Sequence, residues 1–145
     1  MSTFRAEGMK LPARGRKARW LAIVYGLILF LWLNPEDYSV WPVTLLGTVL
    51  SALIIVLWTL GKIGGKEVST RMMLPGAILL GATIGIGASV ITAALMFFKN
   101  ARHAHLFLDF PPGQMLAILE RAPIWGLAGG LTGLALALIW LALKN

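Results

Sequence analysis

The chain has 145 residues, of which 58% are hydrophobic and only 13% are charged, and its formal net charge is +7. A soluble domain carries roughly twice that charged fraction, so the composition excludes an ordinary water-soluble domain. Cysteine is absent, which excludes disulfides, thiolate metal sites and haem attachment through cysteine. The basic residues cluster beside apolar runs, which favours anionic lipid over nucleic acid as the partner of this charge.

Four long apolar runs contain no Asp, Glu, Lys, Arg or His, and they cover residues 20–33, 41–60, 72–98 and 124–143. Lipid requires uncharged segments whose backbone groups satisfy one another, and helices meet that requirement. The sequence therefore predicts an all-α, polytopic membrane protein with four transmembrane helices in two hairpins. Residues 1–19 form a basic tail, and residues 20–145 form a single membrane domain.

The first run is the shortest of the four. Its helix covers about 21 Å, whereas the hydrocarbon core is ~30 Å thick. The following residues, from Asn34 to Tyr38, offer no small-residue cleavage site, so we expect an uncleaved span rather than a signal peptide. A shallow or tilted element is the alternative. Asn34, Glu36 and Asp37 fall short of a cation cage and predict a turn.

The other runs are long enough to cross. Trp41 and Trp58 in the second run are spaced to place one indole near each interface. The third run, at about 40 Å, can span with tilt. Between the third and fourth runs, an apolar face over residues 112–121 predicts a short interfacial helix, with Asp109 near its positive N-terminus.

Lysine and arginine counts predict the orientation. With both termini cytoplasmic, the inside holds the six basic tail residues together with Lys62, Lys66, Arg71 and Lys144. The outside then holds only Lys99, Arg102 and Arg121. Because cytoplasmic loops are enriched in Lys and Arg, we expect both termini to face the cytoplasm, with a bacterial plasma membrane as the location.

Small residues recur at helical spacing in the last two spans. In the third span they are Gly81, Gly85 and Ser89, flanked by Ala77 and Ala93. In the fourth span they are Gly126, Gly129, Gly130 and Gly133. Such stripes let helix backbones approach closely in lipid, so these residues predict packing surfaces. The pattern leaves open whether the partner helix belongs to this chain or to another subunit. An unwound transporter helix around Gly85 is the less favoured alternative.

Two histidines, His103 and His105, follow the third span. An interfacial histidine can ligate haem iron or chlorophyll magnesium, so both are candidate cofactor ligands. Apart from Asp109, no Asp, Glu or Cys lies close enough in sequence to complete a metal site. A pair of solvated interfacial residues, or a headgroup contact, is the alternative that we favour.

The six basic residues of the tail exceed what topology alone requires. This predicts contact with anionic lipid or with an acidic partner surface, made by Arg14, Arg16, Lys17 and Arg19. No nucleophile–base pair, phosphate loop or hydrolase motif is present, and the Ser and Thr hydroxyls within the spans are expected to bond to their own helices.

The sequence therefore favours a non-catalytic accessory or structural subunit of a larger integral membrane complex, with other membrane subunits and anionic lipids as partners. A chlorophyll- or haem-holding subunit of a photosynthetic or electron-transfer complex is the first alternative. A small oligomeric transporter or pore is the second. An enzyme is the least expected reading.

The predicted orientation can be tested with single cysteines, because the chain has none of its own. In intact cells, an impermeant thiol reagent should label the Leu106→Cys variant and spare the Lys66→Cys variant. The opposite labelling pattern would show that the charge bias does not set the orientation of this chain.

Overall fold

A computed structural model of the protein describes residues 9–12, 15–35, 38–103 and 108–144, with the backbone alone at Met9, Lys10, Arg16, Lys17, Thr70 and Lys144. Within these ranges the chain is helical apart from a short pair of strands. The helices are α1 (Arg16–Trp32), α2 (Val40–Ile63), α3 (Thr70–His103), α4 (Pro112–Glu120) and α5 (Ala122–Lys144). The strands are β1 (Met9–Lys10) and β2 (Glu67–Val68).

Three helices are long and apolar enough to cross a membrane, over Val40–Ile63, Arg71–His103 and Ala122–Leu143. They correspond to the second, third and fourth predicted runs, and they identify the chain as a multi-pass membrane protein. The apolar part of α1, Ala18–Trp32, is shorter, in keeping with the short first run of the sequence.

The end of α3 differs from the prediction. The helix does not stop at residue 98 but continues to His103, so Lys99 and Asn100 belong to it. Before α4, Pro111 takes an extended conformation, and Pro112 occupies the first helical turn of α4. Pro111, not Asp109, is the N-cap of α4, and no side chain caps that end. Only Arg121 separates α4 from α5.

The N-terminal tail pairs with the loop between α2 and α3. Strands β1 and β2 are antiparallel, with Met9 opposite Val68. The ladder is extended by Leu11, whose N–H donates to Lys66 O at 3.2 Å and whose carbonyl accepts from Gly65 N at 2.9 Å. Gly65 has a φ of +80°, a conformation that favours glycine, and so it permits this turn. The tail and the α2–α3 loop therefore lie at the same end of the molecule.

Helices α3 and α5 approach each other backbone to backbone. A Cβ atom added at Gly81 would collide with the carbonyl oxygen of Gly129, and one added at Gly85 would collide with that of Trp125. Gly133 is equally close to the carbonyl of Ala77. The partner of these small-residue stripes thus lies within this chain.

Helix α2 packs on the other side of α3. The Ser51 hydroxyl, fully buried, donates to Ile84 O of α3 at 2.8 Å, and Gly87 leaves the space for it. Hydroxyls of α2, α3 and α5 also donate within their own helices, as expected: Thr48, Thr59, Thr83 and Thr132 each bond to the carbonyl four residues earlier. Ser51 departs from that expectation because it bonds across to a neighbouring helix.

Helix α1 lies at the edge of the bundle. Tyr25 is its buried side chain, and the Tyr25 hydroxyl donates to Leu46 O of α2 at 2.6 Å. Large apolar side chains on the rest of α1 are exposed, among them Leu27 at 60% and Leu31 at 67%. Exposed apolar surface of this kind is expected of a helix that faces lipid or another subunit.

The contrast between Gly85 and Gly130 yields a matched test of the α3–α5 contact. Gly85→Ala should lower the stability of the protein by about 1–3 kcal/mol, because its methyl group would overlap the Trp125 carbonyl. Gly130→Ala should be neutral or stabilising, because a Cβ there meets its nearest atoms at 3.6 Å. Thermal unfolding in detergent measures both. Equal melting temperatures for the two variants would contradict the packing described.

Candidate functional site

A buried apolar core lies at the C-terminal end of α3. Buried residues of α2, α3 and α4, with Phe110, form one apolar core: Val43, Ala93, Leu95, Met96, Phe110 and Ile118. A set of polar and aromatic side chains borders this core, which we call the Lys99 cluster: Trp32, Lys99, Asn100, His103, Asp109 and Phe110. It brings the ends of α1 and α3 together with the segment that precedes α4.

Lys99 is fully buried, at 0% exposure. Its Nζ lies 4.4 Å from the centre of the Trp32 ring and 5.9 Å from that of Phe110. Removing an ammonium group from water is costly, and two aromatic faces offset part of that cost through their negative quadrupoles. The sequence placed Lys99 among the solvated charges that set orientation; in the structure its side chain is enclosed instead.

Asn100 fastens the chain segment that leads into α4. Its Nδ2 donates to Phe110 O at 2.6 Å, and its Oδ1 accepts from Phe110 N at 2.9 Å. The amide side chain thereby satisfies both backbone groups of Phe110, which is itself fully buried. Buried backbone groups need such partners, so Asn100 takes the place of secondary structure here.

His103 and Asp109 form a close side-chain pair within the cluster. His103 Nδ1 lies 2.6 Å from Asp109 Oδ2, and the side chains are 14% and 0% exposed. The other carboxylate oxygen, Asp109 Oδ1, is buried and has no hydrogen-bond partner among the described residues, and neither has the indole nitrogen of Trp32. Asp109 also lies two residues before the N-cap Pro111, so its predicted electrostatic role at the N-terminus of α4 stays a prediction.

Of the two predicted cofactor ligands, the structure describes His103 but not His105. Nδ1 of His103 faces a carboxylate, the arrangement that orients many metal-binding histidines, so a ligand role would fall to Nε2. His105 lies outside the described residues. Within those residues, no three His, Cys, Asp or Glu side chains group together as a metal site would require.

The predicted packing residues lie at the α3–α5 contact, with one exception. Gly81, Gly85, Gly129 and Gly133 face backbone, Gly126 faces the Ile86 side chain, and Gly130 faces Ala82 and Ile78. Ser89 instead turns towards α4, where its hydroxyl donates to Ile118 O. It is fully buried and ties α4 to α3. Ser89 therefore packs against α4 rather than α5, a choice of partner helix that the sequence left open.

Of the tail residues predicted to contact lipid, Arg14 lies outside the described residues, and Arg16 and Lys17 begin α1 with undescribed side chains. Arg19 is exposed. Of the predicted turn, Asn34 is described: its Nδ2 donates to Phe30 O at 3.1 Å, and its Oδ1 accepts from Arg102 at 3.2 Å. Glu36 and Asp37 lie outside the described residues.

A groove separates the N-terminal half of α1 from α2. Its volume is about 440 Å³, and its walls are small or aliphatic: Gly15, Ala18, Leu21, Val49, Ala52, Leu53, Val56, Leu57 and Leu60. Three exposed basic residues follow wall residues of the groove in the sequence: Arg19 comes directly after Ala18, and Lys62 and Lys66 come after Leu60. We call this feature the α1–α2 groove.

Sequence reasoning missed the roles of Lys99, Asn100 and Asp109. Lys99 and His103 are four residues apart and so share a helical face, which was the available signal. Their grouping with Asp109 depends on the chain reversal between α3 and α4, which no spacing in the sequence reveals. The cluster as a whole joins the C-terminal end of α3 to the segment that precedes α4, so it can hold these two parts of the chain together.

Comparison with models of protein families, with curated proteins and with solved structures gives no significant match. The function is therefore argued from the geometry of the chain itself.

The Asn100 contact predicts a stability effect that can be matched to a surface control. Asn100→Leu should cost about 2–4 kcal/mol, because two hydrogen bonds are lost and two buried backbone groups are left unpaired. Asn34→Leu, at an exposed asparagine, should change stability by no more than about 0.5 kcal/mol. Thermal unfolding of both variants in detergent decides the matter. An Asn100→Leu variant as stable as wild type would show that the contact between Asn100 and Phe110 does not stabilise the fold.

Proposed function

We propose that the chain is a non-catalytic structural subunit of a larger integral membrane assembly, and that α1 carries its contact surface. The observation that carries this proposal is a row of small residues on α1. Ala18, Ala22 and Gly26 follow one another at intervals of four, so they lie along one side of the helix.

This row has no counterpart within the described chain at its Gly26 end. A Cβ added at Gly26 would meet no atom within 4 Å, and both Ala22 and Gly26 are exposed. Glycine inside a helix costs about 0.5–1 kcal/mol relative to alanine, and here no neighbouring helix of the chain benefits from it. In lipid, small residues permit close helix–helix contact, so a helix of another subunit is the fitting occupant.

The arrangement proposed for the membrane has four spans and both termini in the cytoplasm. Its support is the pairing of β1 with β2 at one end and the contact of Trp32 with Lys99 at the other. Helix α1 begins next to the first of these ends and finishes at the second. The described helix is about 26 Å long. It crosses a hydrocarbon core of ~30 Å when the bilayer thins locally or when side chains at the helix ends reach the interface.

The cofactor-holding alternative has one specific observation in its favour, the Asp109 carboxylate beside His103 Nδ1. It requires a pigment or haem in contact with His103 Nε2. The pore alternative requires the glycine faces to line a path, whereas Gly81 and Gly85 lie against the backbone of α5. We therefore place the structural role first. An absorption band in the purified complex that His103→Leu removes would reverse that order.

The proposal is tested by purifying the tagged chain gently from its native membrane and identifying the proteins that accompany it. Gly26→Leu should abolish co-purification of the partner while leaving the melting temperature unchanged, because the new side chain projects into open space. Gly76→Leu is the matched control, since a Cβ at Gly76 also meets no atom within 4 Å. It should retain the partner.

Two results would contradict the proposal. One is purification of the chain alone, as a monomer, from its native membrane. The other is a Gly26→Leu variant that retains its partner as fully as wild type does. The first result removes the subunit role, and the second removes α1 as the contact surface.

A further inference from the structure

The α1–α2 groove is apolar throughout and opens to the side of the bundle. Its walls contain no charged side chain, and Val49 and Val56 on α2 are exposed within it. From Val49 to Leu60 the groove follows α2 for about 16 Å. Water gains no hydrogen bonds from such walls, so an apolar chain is the fitting occupant.

The groove arises from where α1 is held. Tyr25 is bonded to Leu46 O near the middle of α1, whereas the N-terminal half contributes the small walls Gly15 and Ala18. Ala18 belongs both to the groove wall and to the proposed subunit contact, whereas Ala22 and Gly26 are not wall residues. A linear aliphatic chain suits a narrow groove with such walls.

Basic residues flank the groove in the sequence, where α1 begins and α2 ends. Arg19 follows the wall residue Ala18 on α1, Lys62 lies two residues beyond the wall residue Leu60 on α2, and all of Arg19, Lys62 and Lys66 are exposed. Glu67 is the described acidic residue beside them. Trp20 and Trp58, 63% and 65% exposed, lie at the same end, and exposed indoles favour the level of the lipid headgroups.

We propose that the α1–α2 groove binds one anionic phospholipid. One acyl chain occupies the groove, and the headgroup phosphate is held by Arg19, Lys62 and Lys66. The proposal rests on the proposed four-span arrangement, because the groove must face the bilayer. The apolar walls explain why a lipid chain binds, and the flanking basic residues explain why the lipid is anionic.

The test uses the purified full chain in detergent, stripped of lipid and then titrated with phosphatidylglycerol or with phosphatidylcholine carrying identical acyl chains. Native mass spectrometry counts the lipids bound. Phosphatidylglycerol should bind more tightly, and Arg19→Gln and Lys62→Gln should each weaken it about fivefold while leaving phosphatidylcholine unchanged. Arg121→Gln, at an exposed charge between α4 and α5 that is not part of the groove, is the matched control and should have no effect.

A second pair of variants tests the groove itself. Ala52→Trp fills the groove and should abolish binding of both lipids, whereas Ala135→Trp, on the exposed face of α5, should not. The charge variants test the proposal even where Ala52→Trp fails to fold, because their side chains are exposed.

Three results would overturn the proposal: equal affinity for the two lipids, unchanged lipid binding in Ala52→Trp, or loss of a co-purifying protein in Ala52→Trp with lipid binding intact. The last result would show that a protein segment occupies the groove. Because the titration is made on the isolated chain, its outcome does not depend on the partner that Gly26→Leu tests. Failure of the lipid proposal therefore leaves the subunit proposal to its own experiment.

Discussion

The fold depends on one contact, the approach of the α3 backbone to the α5 backbone. Apolar side chains gain little by leaving lipid for one another, so helices in a membrane associate through close packing. Gly81 and Gly129 allow such packing because each faces the carbonyl of the other. Helix α3 then offers its remaining surface to α2 and α4, and the rest of the bundle is arranged around it.

The two ends of the bundle are built differently. At the C-terminal end of α3, a buried lysine, a histidine–aspartate pair and a bidentate asparagine hold the chain segment before α4 against the core. At the opposite end, a two-residue strand of the tail pairs with the α2–α3 loop beside exposed basic residues. Side chains at the first end are buried and hydrogen-bonded, whereas basic side chains at the second end are exposed. Helix α1 connects the two and is held mainly by Tyr25 and Trp32.

Much of the architecture could be read from the sequence because lipid imposes a simple rule on it. Uncharged runs of sufficient length gave α2, α3 and α5 to within a few residues, apart from the extension of α3 to His103. The stripes of glycine could be located but not assigned to a partner, because a periodic face does not say which helix it meets. The structure places that partner in the same chain for Gly81 and Gly85.

The Lys99 cluster could not be read in the same way. Charge counting treats every lysine near a span as solvated, and only tertiary packing shows that Lys99 is enclosed by Trp32 and Phe110. Ser89 was assigned to the glycine stripe because its spacing fits, yet its hydroxyl reaches α4. The small residues Ala18, Ala22 and Gly26 are also spaced regularly in the sequence. They could be proposed as a contact surface only from the structure, in which no described atom covers Gly26.

The central claim, that α3 and α5 of one chain pack on each other, is tested most directly by a disulfide. A Cβ at Gly130 would lie 3.6 Å from the Ala82 Cβ, a separation that suits a disulfide, and the chain has no other cysteine. The Ala82→Cys, Gly130→Cys double variant, oxidised in native membranes, should form a bond within a monomer. Absence of a disulfide would contradict the packing of α3 on α5. A disulfide between two copies would also contradict it and would assign the glycine stripes to an interface between subunits.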